Sequence, residues 1–377
     1  MAADISTIKS GLPTDYYAPN FKIEVEGREL DPESKGDVLD VKVVMDLENL
    51  TSFDFTINNW DDKGIFFKYS DTSEFDVGRG VHVQMGYADR LLSMVHGQIT
   101  TLSPKFPESG SPTLAVSGLD SMFKLRDSKP EKGADKYVKM TDWEIAKRVA
   151  EDKGLKPQVT EEGPRHDLVM IKNQDYATFL MERAKRIDFD FYVQTNEGKD
   201  TLFFVKPKDG RDASKARVYV FEWGVSLINF TPTLTLSNQV GSVTVHGWDP
   251  AAKEVVKYTA EPKDLPPSKG GGTSGPQAAQ NSNKGKQDVV IDAPVTSQEE
   301  ARKLAVSLLM ERAYEFITGS GQVIGVPDLR PGDTLEIHGL GKRYSGDYYV
   351  KKVEHALSSS GYLTNFEVRR TYDGGKK

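Results

Sequence analysis

The apolar positions of this chain follow two periods, and each change of period marks a segment. From Phe21 to Leu125 apolar residues alternate with polar ones: Phe21, Ile23 and Val25; Phe53, Phe55 and Ile57; Val81, Val83 and Met85; Leu114 and Val116. Alternation at period two, broken by turn residues at short intervals, predicts antiparallel strands with one buried face, and so a barrel or sandwich. Asn58 to Gly78 reads as a longer excursion on that barrel. From Thr141 the period lengthens. Trp143, Ile145, Ala146, Val149 and Ala150 share a helical face, opened by a Thr141/Glu144 capping box and stopped by Gly154. Tyr176, Phe179, Leu180, Ala184 and Ile187 predict a second helix, with Arg183 to Arg186 as its solvated face. Phe189, Phe191 and Val193, then Leu202 to Val205, predict a hairpin.

Strand patterns return at Val218–Trp223, Val225–Leu236, Val240–Val245 and Val255–Tyr258. Composition then shifts. Glu261 to Asp288 is rich in Gly, Pro, Ser, Asn and Gln, with few large apolar groups to offset ordering entropy. It is expected to be a flexible linker whose truncation leaves folding intact. Thr296 and Glu299 predict a second capping box, opening a helix with Ala301, Leu304, Ala305, Leu308, Leu309, Ala313 and Phe316 on its face. Val323, Leu335, Ile337, Tyr348, Val350, Val353, Leu363, Phe366 and Val368 mark the closing strands. The fold class expected is α+β, mainly β.

The chain has 377 residues, enough for two or three compact units. A net charge of -7 argues against nucleic acid or an anionic membrane as the primary partner. There is no cysteine, which excludes disulfides and thiolate metal sites. No run approaches the roughly 18 apolar residues of a membrane span. The first residues lack the basic-then-apolar design of a signal peptide, so synthesis without one is expected.

Candidate chemistry is sparse. The six histidines are His82, His96, His166, His246, His338 and His355, and no HExxH occurs. His82, His246 and His338 fall in strand-like runs as paired, structural residues. His355 is expected to make a backbone hydrogen bond that shapes the following turn. Asp61 to Gly64 is out of register for a calcium loop and reads as a turn; Gly339 to Lys342 lacks the glycine and hydroxyl of a phosphate loop and reads as a hairpin turn. No GxSxG elbow is present. The expectation is a non-enzyme with no catalytic, cofactor-binding or metal-binding residues and no cofactor.

Several motifs, weak singly but in the right order, resemble the late control protein D family of baseplate hubs, which is related to the front half of VgrG spikes. They are Phe53, Asn58 and Trp60; Phe75, Val77-Gly78, Val81, Val83 and Gly86-Tyr87; Gly97, Ile99-Thr100 and Pro104; Leu114, Val116, Gly118 and Asp120. Asp175, Phe179, Leu180, Ala184, Tyr192-Val193, Leu202 and Phe204 follow in the helical stretch. Leu329, Pro331-Gly332, Gly346, Tyr348, Val350, Val353, His355, Gly361-Tyr362, Thr364, Phe366 and Arg369 close the series.

Residues 1–20, with Pro13, Pro19, Tyr16 and Tyr17, read as a flexible or docking arm; the resemblance implies a first tube-like barrel at 20–125. It implies a helical subdomain at 126–215, and a second, discontinuous barrel from 216–260 and 318–372. The linker, 261–290, and a connecting helix, 291–317, would interrupt that barrel. It further implies a homotrimer that joins a sixfold tail tube protein to a threefold central spike, VgrG-like or a separate spike protein, among other baseplate proteins. The location would be a virion or an extracellular contractile particle, assembled in the bacterial cytoplasm. Two rival classes are a tail-tip peptidoglycan hydrolase and a host-surface carbohydrate binder, the latter drawing on 10% aromatic residues.

Overall fold

A computed structural model describes residues 18–130, 135–196, 199–207, 218–250, 252–266, 272–282, 286–291 and 295–374. Most of the expected arm, with Tyr16 and Tyr17, lies outside them. The period-two stretches form one 13-stranded sheet that curls twice.

The first curl contains β1 (Pro19–Val25), the short β2 (Arg28–Glu29), α1 (Pro32–Asp37), β3 (Val38–Asp46) and β4 (Ser52–Asn58). The excursion supplies the small hairpin of β5 (Trp60–Asp61) and β6 (Phe66–Phe67). Then come β7 (Gly80–Tyr87), the 16-residue β8 (Arg90–Lys105) and β9 (Thr113–Asp120). Pairing runs β1-β7-β8-β9-β4-β3. Alternate residues of all six strands, among them Ile23, Val43, Phe55, Val83, Ile99 and Val116, fill one core, and Tyr69 and Phe75 of the excursion plug it.

The helical unit follows: α2 (Phe123–Arg126), β10 (Lys136–Thr141), α3 (Asp142–Asp152), β11 (Lys156–Val159), β12 (Arg165–Met170), α4 (Tyr176–Arg186), β13 (Asp190–Asn196) and β14 (Lys199–Val205). The capping box forms as expected: Thr141 Oγ1 accepts from Glu144 N, and Glu144 Oε2 accepts from Thr141 N. Ile145, Ala146, Val149 and Ala150 pack with Phe179, Leu180 and Ala184 of α4 and with Leu202 and Phe204 of β14.

The second curl begins with β15 (Val218–Glu222) and β16 (Leu227–Leu234). The next strands leave it. β17 (Ser242–Asp249) and β18 (Glu254–Ala260) form a separate sheet, order β18-β17-β19, after α5 (Gly275–Ser282) supplies the turn back to β19 (Gln287–Val290). That sheet packs on α6 (Gln298–Tyr314) around Val243, Val245, Ala305 and Leu309. Two expectations are corrected here. Residues 242–260 do not join the second barrel, because β17 pairs with β18 and β19 and buries its apolar face on α6. The expected flexible linker, 261–290, is ordered over most of its described length: α5 buries Ala279, and β19 pairs in parallel with β17. Small residues suffice where a helix must lie close to its neighbour. The α6 cap also shifts by one residue. Ser297, not Thr296, accepts from Glu300 N, while Glu300 Oε2 takes the Thr296 amide.

The second curl closes with β20 (Ile317–Ile324), β21 (Thr334–His338), the single turn α7 (Gly341–Tyr344), β22 (Gly346–Ser358) and β23 (Gly361–Arg370). Its order is β15-β21-β22-β23-β20-β16, around Tyr219, Phe221, Leu335, Tyr348 and Phe366. Five of its strands repeat the first curl in register. β22, β23, β20, β16 and β21 correspond to β8, β9, β4, β3 and β7. The bulge at Ile99/Thr101 recurs at Val350/Lys352, and that at Val38/Asp40 recurs at Leu227/Asn229. Gly78 and Gly332 hold the same place before β7 and β21. Both have positive φ, 92° and 88°, and both donate their amide to the strand opposite, at Ile99 O and Val350 O. The repeat breaks at the sixth strand, since β1 runs antiparallel to β7 while β15 runs parallel to β21.

Candidate assembly surface and its polar junctions

The two curls meet at a seam between β3 and β22, in the pairs Lys352–Asp46, Val353–Met45, Glu354–Val44, His355–Val43, Ala356–Lys42, Leu357–Val41 and Ser358–Asp40. It makes one continuous face of eight strands, from β16 through β20, β23, β22, β3, β4 and β9 to β8. On this face the alternation presents polar side chains, tied across strands. Ser117 Oγ donates to Asp54 at 2.6 Å, Gln322 Nε2 to Asn365 Oδ1 at 2.8 Å and Asn365 Nδ2 to Glu354 Oε1 at 2.9 Å; Lys352 and Glu367 pair at 3.1 Å. A shallow depression of about 350 Å³ lies on it beside Asn229, Gln322, Glu354 and Glu367.

His355 pins the seam. Its side chain is fully buried; Nε2 donates to Leu329 O at 3.1 Å, and Nδ1 accepts from Tyr362 Oη at 2.9 Å. A carbonyl can only accept, so the proton sits on Nε2. Burial, with the Arg330 charge, pushes its pKa down to about 3, and the imidazole is neutral. Arg330 reaches the other curl, Nη2 donating to Ser93 O at 3.1 Å, and Tyr87 Oη donates to Gly325 O at 2.9 Å. The expected backbone bond of His355 is present within the second curl, and the bonds that cross between the curls beside it are those of Arg330 and Tyr87.

Three polar junctions tie the helical unit to its neighbours; of their residues only Asp120 and Arg369 stood in the motif series, with no sign of their partners. In the first, His166 Nδ1 lies 2.5 Å from Glu300 Oε1 of α6; its Nε2 lies 3.2 Å from Asp142 Oδ2 and 2.7 Å from Arg183 Nη2, whose Nε bonds Asp142 at 2.5 Å. Burial disfavours the charged imidazole, but the bonds to Asp142 and Glu300 outweigh it and raise the His166 pKa, against the Arg183 charge. Burial likewise opposes the Glu300 charge, yet His166 and the Thr296 amide hold its pKa at about 2. Arg183, expected on a solvated face, is turned inward because Asp142 is buried beneath it. In the second, the Tyr349 hydroxyl donates to Asp190, and the Arg369 guanidinium lies 4.0 Å above the Tyr314 ring. In the third, Asp120 accepts from Thr51 N at 3.1 Å and Met122 N at 3.0 Å, at the passage from β9 into α2. Burial lifts its pKa to about 7 against those bonds. Beside it Ser121 donates to Asp200, which lies 3.4 Å from His96 Nδ1.

His82 and His96, fourteen residues apart in the chain, are register partners on β7 and β8 with ring centroids 3.8 Å apart. His82 also contacts Glu24 at 3.3 Å and Ser93 Oγ at 2.8 Å. His338 pairs with Glu336 at 3.2 Å on the surface. No group of three His, Asp or Glu side chains among the described residues is placed to hold a metal ion. Asp61 Oδ1 accepts from Lys63 N and Gly64 N, the turn that was expected. No described helix is long and apolar enough to cross a membrane.

The family model described as the Alg8 N-terminal domain matches residues 16–359. No curated protein matches by sequence. Among solved structures, the chain is similar to the 43 kDa tail protein of prophage MuSo2 from Shewanella oneidensis. The TM-score is 0.70 at 14% identity, covering 94% of this chain and 98% of that one. It is similar to a tail protein from Neisseria meningitidis MC58, with TM-score 0.68 at 15% identity over 94% and 97% of the two chains. A component of the type VI secretion system of E. coli, described as structurally similar to bacteriophage tail proteins, gives 0.58 at 13% identity over 92% and 76%. At these identities what is shared is the fold, that of phage tail proteins.

Proposed function

We propose that this chain, which belongs to the Alg8 N-terminal domain family, is the structural hub of a contractile baseplate, because its fold repeats one barrel frame twice and is shared with phage tail proteins. In this reading three copies supply six similar barrels. The ring seats a sixfold tail tube on one side and a threefold central spike, a separate VgrG-like partner, on the other. Symmetry matching needs two quasi-equivalent modules per chain, and the shared bulges of the two curls are the observation that carries the reading. The polar eight-strand face would line the channel, where mutually bonded side chains offer little for a passing molecule to adhere to. The three buried polar junctions would hold the helical unit rigidly against the barrels, so that displacement of one is passed to the other.

The role is mechanical, in a virion or an extracellular particle. The test is the native mass of the full chain, alone and with its tube protein; three chains per complex are expected. A glycan-digestion assay with the same preparation separates this reading from a hydrolase, since robust turnover would displace it.

A further inference from the structure

The His166 junction is built so that one proton decides its bonding. Nε2 stands between a group that can only donate, Arg183 Nη2 at 2.7 Å, and one that can only accept, Asp142 Oδ2 at 3.2 Å. Without a hydrogen, Nε2 accepts from Arg183 and turns its lone pair toward the Asp142 carboxylate. With one, it donates to Asp142 and sets that hydrogen against the Arg183 donor. Nδ1 keeps its hydrogen in both states and donates to Glu300 Oε1 at 2.5 Å. Of the three groups bonded to the ring, Asp142 and Glu300 are negative and Arg183 is positive. A neutral imidazole therefore leaves one negative charge unmatched among them, where both His166 and Asp142 are buried. The other charges facing the ring stand farther out. On α4, Arg186 acts on Glu300 and Asp142 through its charge; on α3, Glu144 is paired with Arg165 at 2.9 Å. β10, the strand partner of His166, sets Met140 opposite it.

The same ring is where the helical unit meets the start of α6. Glu300 gives Oε1 to His166 and Oε2 to Thr296, from whose amide it accepts at 2.8 Å and from whose hydroxyl at 3.1 Å. Next to Thr296, Val295 O accepts the Trp248 amide at 3.0 Å, so this end of α6 is bonded to β17 as well. We propose that His166 is a proton-operated latch. Uptake of one proton fastens the start of α6, and with it the sheet of β17, β18 and β19, to the helical unit; loss of the proton lets that end of α6 loosen. Burial and the Arg183 charge oppose the proton, yet the bonds to Asp142 and Glu300 hold the His166 pKa above its ordinary value of 6.5. The stability drawn from the latch is therefore complete below about pH 6.5 and is lost as pH rises through the folded pKa. That sense is opposite to the one expected of His355, whose pKa burial pushes down. The latch lies within one chain and stands whether or not the chain is a hub.

Hydrogen exchange of the full chain tests this, read by mass spectrometry on peptides spanning 295–303 and corrected for the intrinsic pH dependence of amide exchange. Between pH 6 and pH 8.5 the opening of this segment should grow at least about threefold. His166→Gln cannot take up a proton, and its opening should be the same at both ends of that range. Glu300→Gln keeps the titrating ring but removes one of its two carboxylates. It should move the midpoint of the change to lower pH, a shift that loss of packing alone does not produce. Should His166→Gln fail to fold, the Glu300→Gln midpoint decides alone. An opening that shrinks or holds level as pH rises would overturn the latch. So would the same pH dependence in the native chain and His166→Gln, or a Glu300→Gln midpoint left in place.

Discussion

The two curls share a backbone frame and differ in how they fill it. In the first, the large rings sit on β4: Phe53 stands opposite Gly118, and Phe55 opposite Val116. In the second, the matching strand β20 holds Gly319 and Gly321 at those places, and the rings come from the neighbours, Phe230 and Phe366. A Cβ added to Gly118 would lie 2.3 Å from the Phe53 ring, and one added to Gly321 would lie 2.5 Å from the Phe366 ring. Each aromatic lies over a cross-strand glycine, but the two members of the pair have changed strands. Pairing and bulges therefore conserve the frame, while side-chain volume is conserved only in sum. The outer edges differ as well. The polar pin of the second curl, His355 with Tyr362 and Thr364, has Pro104 and Leu114 in the matching β8 and β9 positions of the first.

That redistribution explains what was legible in the sequence. Period-two runs marked most of the long strands, because alternation at Phe53–Ile57 or Val81–Met85 needs only a buried face. The helical unit was equally open to reading, since the caps and apolar stripes of α3 and α4 are local signals. The register match was hidden: along β7 and β21, Gly78 and Gly332 agree while Val81-His82-Val83 faces Leu335-Glu336-Ile337. The assignment of β17 and β18 to α6 was hidden too. An alternating strand shows that it buries a face, but not which partner covers it. Asp120 stood in a motif without showing its bonds, and Asp142 and His166 gave no sign, because a buried charge looks like an exposed one until partners distant in sequence, such as Arg183 and Glu300, are folded against it.

The comparison can be broken most sharply at the seam. Val43, fully buried, and Pro232, on the last strand of the sheet, hold matching places. Val43→Asp should cost about 3–5 kcal/mol in urea unfolding, because it buries an unpaired charge. Pro232→Asp should change it by no more than about 1 kcal/mol. Equal losses would mean that the seam does not cover Val43. Next in size are the glycines. Gly118→Val and Gly321→Val should each lower stability by about 2–3 kcal/mol, since both displace a buried ring; a neutral result at either would show that its ring is not held there.

The two curls also differ in their response to pH. His355 takes up a proton far more readily unfolded, near pH 6.5, than folded, where its pKa is about 3. Its contribution is complete above pH 6.5 and is lost as pH falls toward 3, because the unfolded chain binds the extra proton. Unfolding free energies measured from pH 7 to 4 should fall more steeply for the native chain than for His355→Asn. Parallel curves would show that the imidazole is not buried neutral. The smallest change lies outside both curls. Thr141→Ala removes the α3 cap and should cost about 1 kcal/mol by thermal unfolding, with assembly mass unaltered.

The proposed equivalence of the two curls in a three-chain hub is tested most directly by end-on electron-microscopy averages of the purified assembly, with the proposed tube partner bound. A ring of six similar lobes built from three chains is expected, with the lobes alternating in detail around a threefold axis. A ring of three lobes, or six chains each contributing one lobe to the rim, would contradict it.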